Sequence, residues 1–253
     1  MSWAATTLLR HPLAFGVLTL ATASGLPAAE FSRATGPAQV PLIELYTSEG
    51  CSSCPPADRW LEALRSRPRL WLDFVPLGFH VNYWDNLGWK DRFATRGFTQ
   101  RQYAFASRWG TNSVYTPCFV RDGQEWHPGG DLLPSTDHFP GVLTVHVSPE
   151  GACQITFKPA ADTPGPWEAH VALLGGGYAS QVSAGENRGE TLHHEFVALA
   201  LVDTPLRPVG AAVEADLPCP ANPVAGASRH GLAVWVTRAG SLEPIQATGG
   251  WLE

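Results

Sequence analysis

The chain has 253 residues, enough for one large or two small domains, and 44% of them are apolar, so it can bury a core without a metal or a disulfide framework. Charged residues make up only 16%, the formal net charge is -6, and no run of Lys and Arg forms a basic patch. That excludes a nucleic-acid-binding protein, which needs cations against phosphates, and the 22 Pro, 25 Gly and 10 Trp exclude a helical bundle in favour of a loop-rich, partly β protein.

The N-terminus has the pattern of a secretion signal over residues 1–23. Arg10 and His11 precede an apolar run from Leu13 to Ala23, and Ala21-Thr22-Ala23 offers a small-x-small cleavage site. The run is too short to cross a bilayer, which takes about 20 residues. Export is therefore expected, to a periplasmic or secreted location, with no membrane span left after cleavage. Residues 24–39 are expected to be a linker, Gly/Pro-rich from Ala34 to Gln39.

From residue 40 the elements alternate. Val40 to Tyr46 is a predicted strand with Pro41 at its start. Thr47 to Cys54 is a turn-rich loop. A helix follows, with Pro55 and Pro56 in its first turn and Ala57, Trp60, Leu61 and Leu64 at helical spacing. Leu70 to Val81 is a second strand, Asn82 to Phe93 an aromatic-dense loop, and Phe98 to Trp109 a helix ended by Gly110. Val114 to Val120 and Gln124 to His127 are strands joined by an Asp122-Gly123 hairpin. This order predicts an α/β domain over 40–140, a mixed sheet with flanking helices. Beyond Pro140 the pattern is β throughout, at Val142 to Val147, Cys153 to Phe157, Glu168 to Leu174, Leu192 to Val202 and Leu232 to Arg238. It predicts a mainly-β, sandwich-like domain over 141–253.

All five cysteines, Cys51, Cys54, Cys118, Cys153 and Cys219, follow the signal and would meet an oxidising compartment. Cys51-Ser52-Ser53-Cys54 lies between a strand and a helix, the arrangement thiol–disulfide exchange requires. A helix N-terminus favours a thiolate, so Cys51 is the candidate nucleophile and Cys54 the resolving thiol. Glu49 and Asp58 oppose this by raising a thiol pKa, and Pro55 and Pro56 delete two N–H donors. Glu44 on the preceding strand and His80 at the end of the second are candidate accessory groups. Thr116-Pro117 stands where a cis proline would lie beside the pair. Cys153 and Cys219 have turn-like flanks and would be oxidised if close.

The segment Thr47 to Asp58 (TSEGCSSCPPAD) resembles the signature of a secreted thioredoxin-like family catalogued as domain of unknown function 1223. The similarity continues at Phe79 to Asp85, Leu87 to Asp91, Val114 to Pro117 and Gly185 to Gly189. It implies a thioredoxin-like first domain and a β domain, and no particular reaction. The chain departs from the pattern at Asn82, where Asp is usual, and at Cys118, where Gln is usual. Cys118 shares a strand face with Thr116 and is a third candidate near the pair.

Three functions compete. One is an exported thiol–disulfide oxidoreductase acting on protein thiols or a small thiol, without a cofactor. Another is a non-catalytic binding or scaffold protein with a static Cys51–Cys54 bridge. The third is a Cu or Zn carrier using Cys51, Cys54 and either Cys118 or His80. The loop holding Tyr83, Trp84 and Trp89 is expected to plug the space between the two halves.

Overall fold

The computed structural model describes residues 1, 30–129, 137–161 and 163–252; the expected secretion signal lies outside them. In the first half, strand β1 (Phe31–Ala34), within the expected linker, is followed by β2 (Leu42–Thr47), helix α1 (Pro55–Ala63), β3 (Val75–His80), helix α2 (Arg96–Arg108), β4 (Cys118–Arg121) and β5 (Gln124–Trp126). The second half holds strands alone: β6 (Gly141–Val147), β7 (Ala152–Pro159), β8 (Trp167–Gly176), β9 (Tyr178–Gln181), β10 (Thr191–His194), β11 (Val197–Pro205), β12 (Arg207–Val209), β13 (Ala212–Pro218), β14 (Arg229–Arg238) and β15 (Pro244–Leu252).

An α/β thioredoxin-like domain with flanking helices, standing apart from a β sandwich, is not what this chain forms. It is mostly β, with α1 and α2 the only α-helices among the described residues, and strands from both halves share one eight-stranded sheet in the order β15-β14-β8-β11-β3-β2-β4-β5. The join is β11, which runs antiparallel to β8 on one side and meets β3 in parallel at Val197 and Gly78 on the other. Those partners are more than a hundred residues apart in sequence. Periodicity read along the chain does not report such pairing.

The central strands alternate between two cores because successive side chains of a strand point to opposite faces. In β8, Ala172 and Leu174 share a core with Leu42, Leu77, Phe79 and Phe105 on the face that carries α2, while α1 lies on the other face, where its Leu61 comes against Gly78 of β3. Val171 and Leu173 point the other way, onto Leu143, Val145, Ile155 and Phe157 of the second sheet. That sheet has the order β1-β6-β7-β13-β12. In β6 every second residue is buried, as expected of a sheet with one wet face. Buried on both faces, β2, β3 and most of β8 read as continuous apolar runs.

The α1 helix begins directly after Cys54, its N-cap, with Pro55 and Pro56 in the first turn. Thr95 caps α2 by accepting a hydrogen bond from the Phe98 N–H at 3.1 Å. A disulfide joins Cys153, at the start of β7, to Cys219, just past β13, with Cα atoms 5.1 Å apart. None of the helices among the described residues is long and apolar enough to cross a membrane.

Candidate functional site

Cys51 and Cys54 are bonded to each other, their Cα atoms 5.4 Å apart, in the loop between β2 and α1. Both are fully buried, while Ser52 and Ser53 between them are exposed. Thr116-Pro117 is a cis peptide, and the Thr116 carbonyl stands 3.7 Å from Cys51 Sγ. The same carbonyl accepts from Ser53 Oγ at 3.3 Å, and Ser53 Oγ is also 3.3 Å from Cys51 Sγ. Trp84 fixes this strand from the side, its indole N–H donating to Thr116 Oγ1 at 2.8 Å. Gly50 lets Trp84 come close: a Cβ there would sit 2.9 Å from Trp84 Cβ.

The second half reaches over the pair through the β9–β10 loop. Glu186 accepts from the Ser52 N–H at 3.0 Å and from the Ser52 hydroxyl at 2.7 Å. The Asn187 amide donates to both the Glu49 and the Cys51 carbonyls at 2.9 Å. Gly185, at φ +76°, lets that loop lie against Trp89, to whose Cβ an added Cβ would come within 3.3 Å. Trp89 in turn donates to Glu49 Oε2 at 2.7 Å. The aromatic loop thus touches Thr116 through Trp84, and Glu49 and Gly185 through Trp89.

Behind the disulfide lie five buried ionisable groups. His194 Nε2 is 3.0 Å from Glu49 Oε1. Asp91 Oδ2 is 2.7 Å from His80 Nδ1 and accepts from the Glu49 N–H at 2.9 Å. The His80 and His194 rings meet edge to face at 5.0 Å. Asp58, four residues past Cys54, completes the group with its Oδ2 unpaired. Burial alone would lower the His80 pKa, but Asp91, with Asp58 and Glu49 beyond it, raises it to about 9. For Glu49 and Asp91 burial works upward, yet hydrogen bonding to His194 and the charge of His80, respectively, hold both below the usual carboxylate range. Burial dominates at Asp58 and pushes its carboxyl up against the pull of His194 and His80.

A family model described as "Protein of unknown function (DUF1223)" matches residues 42–237. The chain belongs to that family. Two solved structures share its fold. Protein AGR_C_4864 from Agrobacterium tumefaciens is 24% identical, with 85% of this chain and 94% of that one covered and a TM-score of 0.57. HBP35 of Porphyromonas gingivalis is 14% identical, with 86% and 76% covered and a TM-score of 0.58. At these identities the likeness is one of fold alone. No curated protein matches the chain.

Of the residues singled out in the sequence, Cys51, Cys54, Thr116 and Pro117 come together. Glu44 does not join them: its carboxylate accepts two bonds from Arg101 at 2.9 Å and one from the Tyr46 hydroxyl at 2.9 Å. His80 is turned to Asp91 in the buried cluster. Cys118 is a buried free thiol, 4.0 Å from the Phe119 carbonyl and within hydrogen-bonding reach of Tyr115 and Gln102. Burial, the largest cause, pushes it up to about 11. No group of three or more His, Cys, Asp or Glu is arranged to hold a metal among the described residues. Sequence reasoning missed the roles of Asp91, Glu186, Asn187 and His194. The first three lie in motifs already quoted for the family resemblance. His194 carries no local signal, since only the sheet pairing β10 with β9 brings it over the pair.

Proposed function

We propose that the Cys51–Cys54 pair performs thiol–disulfide exchange on protein thiols in an oxidising, extracytoplasmic compartment. The observation that carries this is the placement of a two-residue-spaced disulfide at the N-cap of α1, with the Thr116 carbonyl 3.7 Å from Cys51 Sγ. Exchange at such a pair runs in two displacements. A partner thiolate attacks Cys51 Sγ, the Cys51–Cys54 bond breaks, and Cys54 leaves as a thiolate. The partner's second thiolate then attacks its own sulfur in the mixed disulfide and expels Cys51. The partner gains a disulfide, and the two protons from its thiols end on Cys51 and Cys54. Run backwards, the same steps reduce a partner disulfide.

The full burial of both sulfurs favours a second function, a static bridge that fixes the loop beneath the β9–β10 cover. Trapping separates the two. In exchange, Cys54→Ser leaves mixed disulfides unresolved on non-reducing gels of native extracts, and Cys51→Ser traps nothing. Adding Cys118→Ser to Cys54→Ser tests whether the buried third thiol resolves in its place. Equal trapping by the two single variants refutes the assignment of roles. No trapping by any variant, with Cys51 inert to alkylation after mild reduction, establishes the static bridge.

A further inference from the structure

The strand that joins the two halves has an open side. Past the single pairing of Val197 with Gly78, β11 runs on to Pro205 with β8 on one flank only. In an antiparallel ladder every second residue turns both its N–H and its C=O away from its partner. Among the described residues, no backbone hydrogen bond closes this edge between Leu199 and Pro205. An open edge of this kind is a template for another strand.

The edge does not face bulk solvent alone. It borders a groove of about 580 Å³ whose other wall is α2, within the 300–1,000 Å³ or so of typical ligand sites. Three consecutive residues, Leu199, Ala200 and Leu201, line it. The register against β8 shifts between Ala198 and Ala200, so the alternation of the strand is broken there and consecutive residues border the groove. Its apolar wall is completed by Phe98, Ala104 and Leu242.

Two polar groups sit in this wall with capacity to spare. Arg101 is nine-tenths buried, and its Nε and Nη2 are taken by Glu44 at 2.9 Å. Its Nη1 has no hydrogen-bond partner among the described residues. Asp203 gives one oxygen to His170 Nδ1 at 2.7 Å and leaves a half-exposed side chain at the mouth. Since Glu44 balances Arg101, the charge left over is that of Asp203.

We infer that the groove between α2 and the free edge of β11 is a peptide site, taking an extended basic segment as an added strand. The chemistry matches at three points. Strand addition supplies the N–H and C=O groups that β11 lacks. A peptide carbonyl can accept from Arg101 Nη1. A lysine or arginine side chain at the mouth meets Asp203, and a chain of formal net charge -6 attracts it. The groove is not lined by Gln102, the α2 residue that tethers the Tyr115 carbonyl next to Thr116, and it does not depend on the cysteine chemistry proposed above.

The test uses a blocked hexapeptide of alternating valine and lysine, with the whole chain as receptor. Expected are saturable binding by calorimetry and slower amide exchange across 199–205. A version N-methylated on alternate amides, and one with glutamate for lysine, should each bind at least about tenfold more weakly, a difference of about 1.4 kcal/mol. Ala104 is exposed on α2, so Ala104→Trp fills the groove without opening the core and should abolish binding; Asp203→Asn should weaken it. If Ala104→Trp fails to fold, the peptide comparisons and Asp203→Asn decide. Equal binding of the N-methylated peptide, binding undiminished in both variants, or no binding of the parent peptide at millimolar concentration would each overturn the proposal. A glutamate peptide that binds as well as the lysine one overturns its basic character.

Discussion

His194 Nε2 and Glu49 Oε1 are 3.0 Å apart and both side chains are buried, although 145 residues separate them. This contact ties β10 to the loop ahead of Cys51, and it draws the pair into a cluster with His80, Asp91 and Asp58. The disulfide loop is therefore held by charge as well as by packing.

The first prediction concerns pH. The His80 pKa is raised from 6.5 to about 9. A group whose folded pKa is raised contributes stability that is complete below its unfolded value and lost as pH climbs through the folded one. The His80 contribution should thus be whole below about pH 6.5 and gone above about pH 9, a loss on the order of 3 kcal/mol at 1.36 kcal/mol per pH unit. Glu49 and Asp91 act in the opposite sense: their lowered values mean stability present above the ordinary carboxylate range and lost as pH falls below it. Urea unfolding across pH 3 to 10 should give a plateau with both shoulders. In His80→Gln the alkaline shoulder should flatten; an unchanged one would show that His80 does not carry it.

Asp58 should behave as a cost. Its carboxyl is pushed up by burial, and one oxygen has no partner, so at pH 8 the ionised form opposes folding. Asp58→Asn is expected to raise Tm by a few degrees at pH 8, since about 1 kcal/mol moves a domain of this size by roughly 2–4 °C. The gain should shrink at pH 4. A lower Tm at both pH values would mean that the charge is needed by His80 and His194 more than burial penalises it.

Much of the disulfide site was legible in the sequence. The Cys51-x-x-Cys54 spacing, the prolines at the start of α1 and the Thr116-Pro117 step are local features, and they stand together as expected. The Asp122-Gly123 hairpin also formed, with both residues at positive φ. What the local pattern missed was the pairing of strands from the two halves in one sheet. The first half alternates strand and helix, and that pattern alone suggests an α/β unit, but β11 and β8 extend its sheet from the far half. Glu44 was misjudged for the same reason. Its partner Arg101 lies on α2 and closes against β2 only in three dimensions.

The cover over the disulfide makes a third prediction. Asn187 is a buried amide whose two donated bonds satisfy the Glu49 and Cys51 carbonyls. Asn187→Ala leaves the Glu49 carbonyl without a partner among the described residues, at about 1–3 kcal/mol at most, and leaves the Cys51 carbonyl with the Cys54 N–H alone at 3.2 Å. Because both lie in the disulfide loop, the loss should show first as local opening. Reduction of Cys51–Cys54 by dithiothreitol, followed by alkylation and mass analysis, is expected to run at least several-fold faster than in the parent. An unchanged rate would mean that access is limited elsewhere.

The redox poise follows from the donors around the sulfurs. A strongly oxidising pair has its reduced form stabilised, commonly by a helix N-terminus acting on the thiolate. Here Pro55 and Pro56 have no N–H, and the Ala57 and Asp58 N–H groups go to the Cys54 carbonyl at 2.9 and 3.1 Å. Ser53 Oγ, 3.3 Å from Cys51 Sγ, is neutral and has one proton, for which the Thr116 carbonyl competes. The couple should therefore titrate against glutathione or dithiothreitol nearer about -270 mV than -120 mV. A value near the latter would mean that a thiolate donor forms on reduction, and one below about -300 mV would place the bridge among structural disulfides.

The last prediction concerns the other disulfide. Cys153 opens β7 and Cys219 follows β13, its neighbour in the five-stranded sheet, where Leu217 lies opposite Cys153 and the Cys219 N–H donates to the Gly151 carbonyl at 2.9 Å. The bridge spans 66 residues of sequence, a long loop whose closure restrains the unfolded chain. Cys153 is fully buried among Leu143, Phe157 and the other side chains between the two sheets. Replacing both residues with alanine should therefore cost about 2–5 kcal/mol of stability while leaving the potential of Cys51–Cys54 unchanged. Equilibrium unfolding of the double variant, with the potential measured on the same sample, checks both halves of the claim. A shifted potential would mean that the two disulfides communicate.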